Sequence, residues 1–196
     1  LLDCLGSEDN IPDLKPDAII FDGAALVHRL RPDITRLKTF EMYAEQLFVP
    51  YIVNCLSQDN CTRVDIVWDV YRSDSLKCSA RTQRGKGTRR RVEAKNTIPP
   101  NWANFLREDM NKDELFKFLA SMVIAANVPI GKEIVSTLGN DVISNTRMDH
   151  TRLAPCTHEE ADGRIVLHVA DCALAGHKNI LIKTVDTDVV VLAVAF

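Results

Sequence analysis

The sequence lacks the features that mark secreted, disulfide-rich or membrane-spanning proteins. No targeting signal is visible, and the longest apolar run, Val189 to Phe196, is too short to cross a bilayer. The six cysteines include no C-x-x-C pair and no Cys/His spacing typical of a zinc site. We therefore expect free thiols rather than a disulfide framework. We also expect an intracellular protein, nuclear or cytoplasmic, that is not secreted and has no membrane contact.

Internal repeats and low-complexity stretches are also missing, and the composition is that of a folded domain. The 196 residues are 46% apolar and 26% charged, which suits one domain with a sizeable core. Residues 1–16 are polar and contain two prolines, so they are predicted to be a linker or tail, with the core spanning 17–196. Because the chain begins without Met and stops inside an apolar run, we expect a longer parent protein and a core truncated at its C-terminus.

A large charge of one sign is absent overall, but the charge is unevenly distributed. The net charge is -3, whereas residues 72–95 contain nine Lys or Arg against two acidic residues and carry +7. The remainder of the chain therefore carries -10. Gly85 and Gly87 disfavour a helix in this basic segment, and its like charges repel one another, so we expect a mobile insertion.

The apolar pattern alternates between short buried strands and amphipathic helices. Short apolar runs at 18–21, 64–68, 133–138 and 179–183 predict strands. Helical spacing follows 37–47, 115–126 and 161–172, with Asp33 and Asp113 as expected helix starts and Pro50 as an interruption. This alternation predicts an α/β fold with a mostly parallel central sheet flanked by helices.

Acidic residues follow three of these strands. Asp22 and Asp69 end the first two, and Asp186 and Asp188 follow the last. Carboxyl ends of parallel strands share one edge of a sheet, which is where sites form in such folds. A further acidic group, Glu159, Glu160 and Asp162, lies where the helix after Pro155 should begin.

Clustered carboxylates cannot all stay ionised without compensation, since like charges raise one another's pKa. Hard oxygen ligands favour Mg²⁺ or Mn²⁺, and a pair of such ions promotes phosphodiester cleavage. The alternative interpretation is structural. A single Asp after a strand is commonly a turn or cap residue, and Glu in a first helical turn is favoured by the helix dipole.

These motifs, in this order, resemble the flap-endonuclease-like (PIN-like) nuclease superfamily from Asp17 to Phe196. The matching stretches are Ile-Ile-Phe-Asp22-Gly, Ile-Val-Trp-Asp69, Thr-His-Glu-Glu160-Ala-Asp162-Gly and Val-Asp186-Thr-Asp188. The similarity is closest in character to divergent, Asteroid-like members. It implies a three-layer PIN-like fold and a metal-dependent nuclease that uses two Mg²⁺ or Mn²⁺ ions on DNA or RNA. The implied metal ligands are Asp22, Asp69, Glu160, Asp162, Asp186 and Asp188.

In this family a basic arch follows the second Asp, so the resemblance implies an arch-like insertion at 72–95. Lys77 and Arg84 are then the implied catalytic cations. The implied nucleic-acid contacts are Lys77, Arg81, Arg84, Lys86, Arg89, Arg90 and Arg91. A solvated basic loop or a localisation signal at 84–91 remains the alternative. Tyr71 suits either base stacking or core packing.

Two departures from the family and three competing functions stay open. The chain stops before the family's later acidic ligand and before its duplex-binding element. A PIN-like module that binds without cleaving is the first alternative. A haloacid-dehalogenase-type phosphatase would use Asp186-Thr-Asp188 but normally carries that motif at its start, and an RNase-H-like transposase does not require these paired acidic residues.

Overall fold

The computed structural model describes residues 15–58, 60–71, 87–146, 149–158 and 161–195. Within these residues, five strands form one mixed sheet in the order β4-β3-β2-β1-β5. The strands are β1 (Ala18–Asp22), β2 (Arg63–Val67), β3 (Glu133–Leu138), β4 (Asp141–Ser144) and β5 (Ile180–Lys183). The helices are α1 (Gly23–Arg29), α2 (Phe40–Tyr43), α3 (Val49–Leu56), α4 (Trp102–Phe105), α5 (Asp109–Ile124), α6 (Ala161–Leu174) and α7 (Thr187–Ala195). No helix in these ranges has both the length and the apolar character needed to cross a membrane.

The pairing directions decide where the strand ends lie. β1 pairs in parallel with both β2 and β5, and β2 pairs in parallel with β3. β4 is antiparallel to β3, to which it is joined through a turn at Gly139, whose φ is +59°. The carboxyl ends of β1, β2 and β5 therefore meet at one edge of the sheet, as the sequence predicts for the three acidic strand ends.

Helices cover both faces of the sheet, because β1 is apolar on both faces and β2 is buried on both, with Val64 and Ile66 on one face and Arg63 and Asp65 on the other. One face packs against α1 to α5, and the opposite face packs against α6 and α7. The first face contributes Ile19, Phe21, Val64, Ile66 and Ile134. The second contributes Ala18, Ile20 and Val67, which pack against Ala161, Ile165, Cys172 and Val189. All four described cysteines, Cys55, Cys61, Cys156 and Cys172, are free and buried, as expected; Cys4 and Cys78 lie outside the described residues.

A buried ionic network fixes α6 against β2. Arg63 makes a bidentate ion pair with Asp65, with both N···O distances at 2.7 Å, and reaches Asp171 on α6 at 2.8 Å. His168 Nδ1 donates to Asp65 Oδ2 at 2.6 Å. Arg63 and Asp65 are 1% and 0% exposed. This network holds α6 in the position that directs its N-terminus toward the end of β2.

Two expected helix starts were wrong. The helix expected to begin at Asp33 is α2, which begins at Phe40 with Thr39 as its N-cap, while the Asp33 carboxylate accepts from Thr35 in a separate turn. The next long helix begins at Asp109, so Asp113 lies inside it. In both cases an Asp that suits a cap was outweighed by packing of the apolar residues before or after it. The expected interruption near Pro50 is a π-helical stretch, Ala44–Phe48, immediately before α3.

Candidate functional site

The site is built on the carboxyl edge of β1, β2 and β5. Asp22 is the last residue of β1, and Asp69 comes two residues after β2. Asp186 follows β5 and precedes α7. Burial raises the pKa of Asp22 and of Asp69, and the negative charge of Asp186 adds to the rise at Asp22 as that of Asp22 does at Asp69. The structure thus brings these three predicted residues into electrostatic contact.

Asp22 is both a buried carboxylate and a helix cap. Its Oδ1 accepts from the Ala25 N–H at 3.0 Å, capping α1, and its Oδ2 accepts from the Thr184 hydroxyl at 3.1 Å. Gly23 is the first residue of α1, directly after Asp22. A side chain does not fit here, because a Cβ at this residue would lie 2.2 Å from Cε3 of Trp68. Burial raises the pKa of Asp22, although these hydrogen bonds oppose it.

Asp69 is positioned by the aromatic residue that precedes it. The Trp68 backbone N–H donates to Thr137 Oγ1 at 2.8 Å, its indole N–H donates to Ser136 Oγ at 3.0 Å, and its ring stacks on Phe116. These contacts lock the end of β2 against β3 and α5. They fix the direction in which the chain leaves the sheet at Asp69.

The Asp69 carboxylate joins two other elements. Oδ1 accepts from the Ala161 N–H at the start of α6 at 2.9 Å, and Oδ2 accepts from the Tyr71 hydroxyl at 3.2 Å. Burial raises the pKa of Asp69, and the charge of Asp22 raises it further, against the lowering effect of these hydrogen bonds and of Lys112. Tyr71 is therefore a partner of Asp69, and its ring also packs 6.0 Å from that of Phe116.

Thr184 was not predicted from sequence and connects two of the acidic residues. Its hydroxyl donates to Asp22, while its Oγ1 accepts from the Asp186 N–H at 3.0 Å. Asp186 in turn accepts from the Asp188 N–H at 2.9 Å, in the first turn of α7. Asp186 and Asp188 are solvent-exposed, unlike Asp22 and Asp69. The spacing Thr-x-Asp-x-Asp directly after a strand was the available signal for this residue.

The other two predicted ligands belong to the start of α6. Asp162 lies in the first turn of this helix, next to Ala161, whose N–H bonds Asp69. Glu160, with its neighbour Glu159, lies outside the described residues. The helix N-terminus supplies partial positive charge at this point, and it faces the edge of the sheet that carries Asp22 and Asp69.

The donor chemistry of this edge fits a hard divalent cation, since its side chains offer carboxylate and hydroxyl oxygen. Asp22 and Asp69 also have raised pKa values, and a bound cation relieves the repulsion between their negative charges. These side chains do not, however, form a complete set of metal ligands around one point. Among the residues that the structure describes, no three His, Cys, Asp or Glu side chains are grouped closely enough to hold a metal ion.

The basic segment is described only from Gly87 onward, and that part is tied to α5. Arg89 forms an ion pair with Glu114 and donates to Asn111 Oδ1 at 3.0 Å. The Arg90 and Val92 backbone N–H groups donate to Asn111 and Glu114, each at 2.9 Å. This part of the segment is therefore attached to α5, because buried Asn111 bonds the Arg90 N–H and the Thr88 carbonyl; the rest of the expected mobile insertion, 72–86, lies outside the described residues.

Of the predicted nucleic-acid contacts in this segment, three arginines belong to the described residues and the other four residues do not. Arg89 is committed to Glu114, and Arg91 pairs with Glu93 at 3.1 Å in an exposed position. The Arg90 side chain is exposed. Lys77, Arg81, Arg84 and Lys86 lie outside the described residues.

A cation that sequence reasoning missed lies beside Asp69. Lys112 on α5 has its ammonium 4.1 Å from the centroid of the Tyr71 ring. It also pairs with Asp109 at 2.8 Å. Nothing in the local sequence distinguishes this lysine from others on polar helix faces, because its position depends on how α5 packs against the sheet, chiefly at β3.

The comparisons with known proteins add no relative to this description. No protein-family model matches the sequence, and no curated protein or solved structure is significantly similar to it.

Proposed function

We propose that this protein is a metal-dependent nuclease that cleaves phosphodiester bonds of DNA or RNA, with a fold of the three-layer, mostly parallel PIN-like kind. The observation that carries the proposal is the pairing of Asp22 with Asp69 at adjacent parallel strand ends. Asp22 is buried and Asp69 is partly buried; burial raises the pKa of both carboxyls, and the charge of Asp22 adds to the rise at Asp69. Burying two like charges together is costly, which favours a functional reason for the arrangement over a purely structural one.

The six residues Asp22, Asp69, Glu160, Asp162, Asp186 and Asp188 are the proposed ligands of two Mg²⁺ or Mn²⁺ ions. When bound, such ions activate a water and stabilise the leaving oxygen of a phosphodiester. The protein's own part is orientation. The hydroxyls of Thr184 and Tyr71 hold one oxygen each of Asp22 and Asp69, and in both carboxylates the other oxygen is held by a backbone N–H.

Fixed carboxylates lose less rotational entropy when they bind a cation than free ones do. This contribution separates Thr184 and Tyr71 from ordinary surface polar residues. It also gives a reason for the positions of the two hydroxyls, which contact the carboxylates at or just after the ends of β1 and β2, on one edge of the sheet.

The test is a cleavage assay on single-stranded, flap and duplex substrates with Mg²⁺, Mn²⁺ or a chelator. We expect cleavage with metal only, and a loss of at least about 100-fold in Asp22→Asn, the scale of removing one preorganised electrostatic group. Asp149→Asn is the matched control, since Asp149 is exposed and accepts from Thr151 in a separate turn. Absence of cleavage on every substrate in either metal refutes the proposal.

A binding module without catalysis is the second candidate, favoured by the lack of a closed ligand group among the described residues. It predicts nucleic-acid binding that is unchanged by chelator and by Asp22→Asn. The same panel of substrates, read by binding instead of cleavage, separates the two functions.

A further inference from the structure

Lys112 is a cation near the acidic edge of the sheet. It belongs to α5, which packs on the face of the sheet opposite α6, and its side chain reaches Tyr71, which follows β2 in the chain. Only 14% of the side chain is exposed. Its ammonium lies over Tyr71, the residue whose hydroxyl holds Asp69.

The contacts of this ammonium leave it available to an anion. Asp109, three residues earlier on the helix, is its one ion-pair partner in the described part of the chain. The ring of Tyr71 attracts the ammonium of Lys112 through its π face. This contact does not use an ammonium N–H group in a strong hydrogen bond. An ammonium has three donors, so one salt bridge and one ring contact leave capacity for a phosphate oxygen.

The positive charge of Lys112 also contributes to the pKa values of nearby ionisable groups. Burial raises the pKa of Asp69 and the charge of Lys112 opposes that rise, while burial, with the charges of Lys112 and Arg31, lowers the pKa of His28 on α1. The Lys112 ammonium, the Tyr71 ring and the Asp69 carboxylate are joined by consecutive contacts, which place a positive charge close to the Asp69 end of the acidic edge.

We propose that Lys112 contacts a backbone phosphate of the nucleic-acid substrate beside Asp69, and that Tyr71 is the positioning residue that fixes both side chains. The inference rests on the proposed function and deepens it by naming a substrate-binding cation outside the basic segment. The ring contact fixes Lys112 at one point, which a contact next to the cleaved bond requires and a general electrostatic attraction does not.

The experiment measures binding separately from cleavage. Affinity for a labelled single-stranded oligonucleotide, as DNA and as RNA, is measured by fluorescence anisotropy in chelator over a range of salt concentrations. Loss of one phosphate contact lowers the slope of log K against log salt by about 0.7 for single strands. We expect that decrease in Lys112→Gln and near-normal binding in Lys112→Arg.

The matched control is Lys178→Gln, which removes the same charge at an exposed residue before β5, on the opposite edge of the sheet. We expect its slope to equal that of the wild type. Tyr71→Phe keeps the ring and removes the hydroxyl that holds Asp69, so we expect an unchanged salt slope and, in Mg²⁺, a lower kcat with little change in KM.

The outcomes separate this inference from the proposed function. Equal slopes in wild type, Lys112→Gln and Lys178→Gln overturn the role of Lys112, whether or not the protein cleaves. A reduced slope in Lys112→Gln alone, in a protein that cleaves no substrate, supports the phosphate contact and refutes the nuclease proposal. A wild-type protein that binds neither oligonucleotide overturns the role of Lys112, and the cleavage assay in metal then decides the proposed function separately.

Discussion

Replacing Asp65 by Asn tests the buried network that holds α6 on the sheet. The Asp65 carboxylate is wholly buried and accepts three charge-assisted hydrogen bonds, two from Arg63 and one from His168. Asn preserves the shape of the side chain but removes the charge and leaves the Arg63 guanidinium with Asp171 as its close buried partner. We therefore expect loss of one member of a buried ion pair.

The magnitude follows from the class of interaction. Removing one partner of a buried ion pair costs about 3 to 5 kcal/mol. In a domain of this size each kcal/mol lowers the melting temperature by about 2 to 4 °C, so the expected decrease is about 6 to 20 °C. Urea unfolding followed by circular dichroism gives the free energy directly.

The effect has a definite pH dependence. Burial raises the pKa of Asp65, but the hydrogen bonds and charges of His168 and Arg63 outweigh it and leave that pKa below the usual aspartate range. Its contribution is therefore complete above the pKa of Asp in the unfolded chain and is lost as pH falls through the lower folded pKa. The difference in stability between wild type and Asp65→Asn should shrink in that acidic range.

The control is Asp113→Asn, which removes the same charge from a partly exposed i,i+4 pair with Lys117 on α5. Such a pair contributes about 0.3 to 0.5 kcal/mol. If Asp65→Asn unfolded as late in urea as Asp113→Asn, the network would not hold α6, and the account of how the α6 N-terminus reaches Asp69 would be wrong.

Three further outcomes are expected. Millimolar Mg²⁺ or Mn²⁺ should raise the melting temperature because it binds the native carboxylates, and Asp186→Asn should reduce that rise; an unchanged midpoint counts against a metal site. Asp22→Asn should stabilise the metal-free protein at neutral pH in urea unfolding, since a raised pKa means that the ionised form weakens the fold and Asn caps a helix as well as Asp does; a loss of stability would contradict the assigned charge cost. Gly23→Ala should cost about 1 to 3 kcal/mol by overpacking, since its Cβ would lie 2.2 Å from the Trp68 ring; a neutral result in the same assay would show that Trp68 moves freely.

The sequence by itself determined the elements whose evidence is local. Apolar runs at 18–21 and 133–138 became β1 and β3, and helical spacing from Ala161 to Cys172 became α6. An Asp that ends or follows a buried parallel strand lies at the carboxyl edge of the sheet. The position of Asp22 and Asp69 at this edge could therefore be predicted before the fold was known. Helix starts were less predictable, because Asp33 and Asp113 suit caps as well as Thr39 does.

Only the tertiary structure decided which distant groups meet. Asp65 lies 103 residues from His168, and Arg63 lies 108 residues from Asp171. Arg63 and Asp65 alternate along β2 and so share one face, but their partners depend on which helix covers that face. The same holds for Lys112, whose contact with Tyr71 follows from the packing of α5 on the sheet. Local pattern specifies what each segment forms, whereas contacts between segments arise from packing that no single segment encodes.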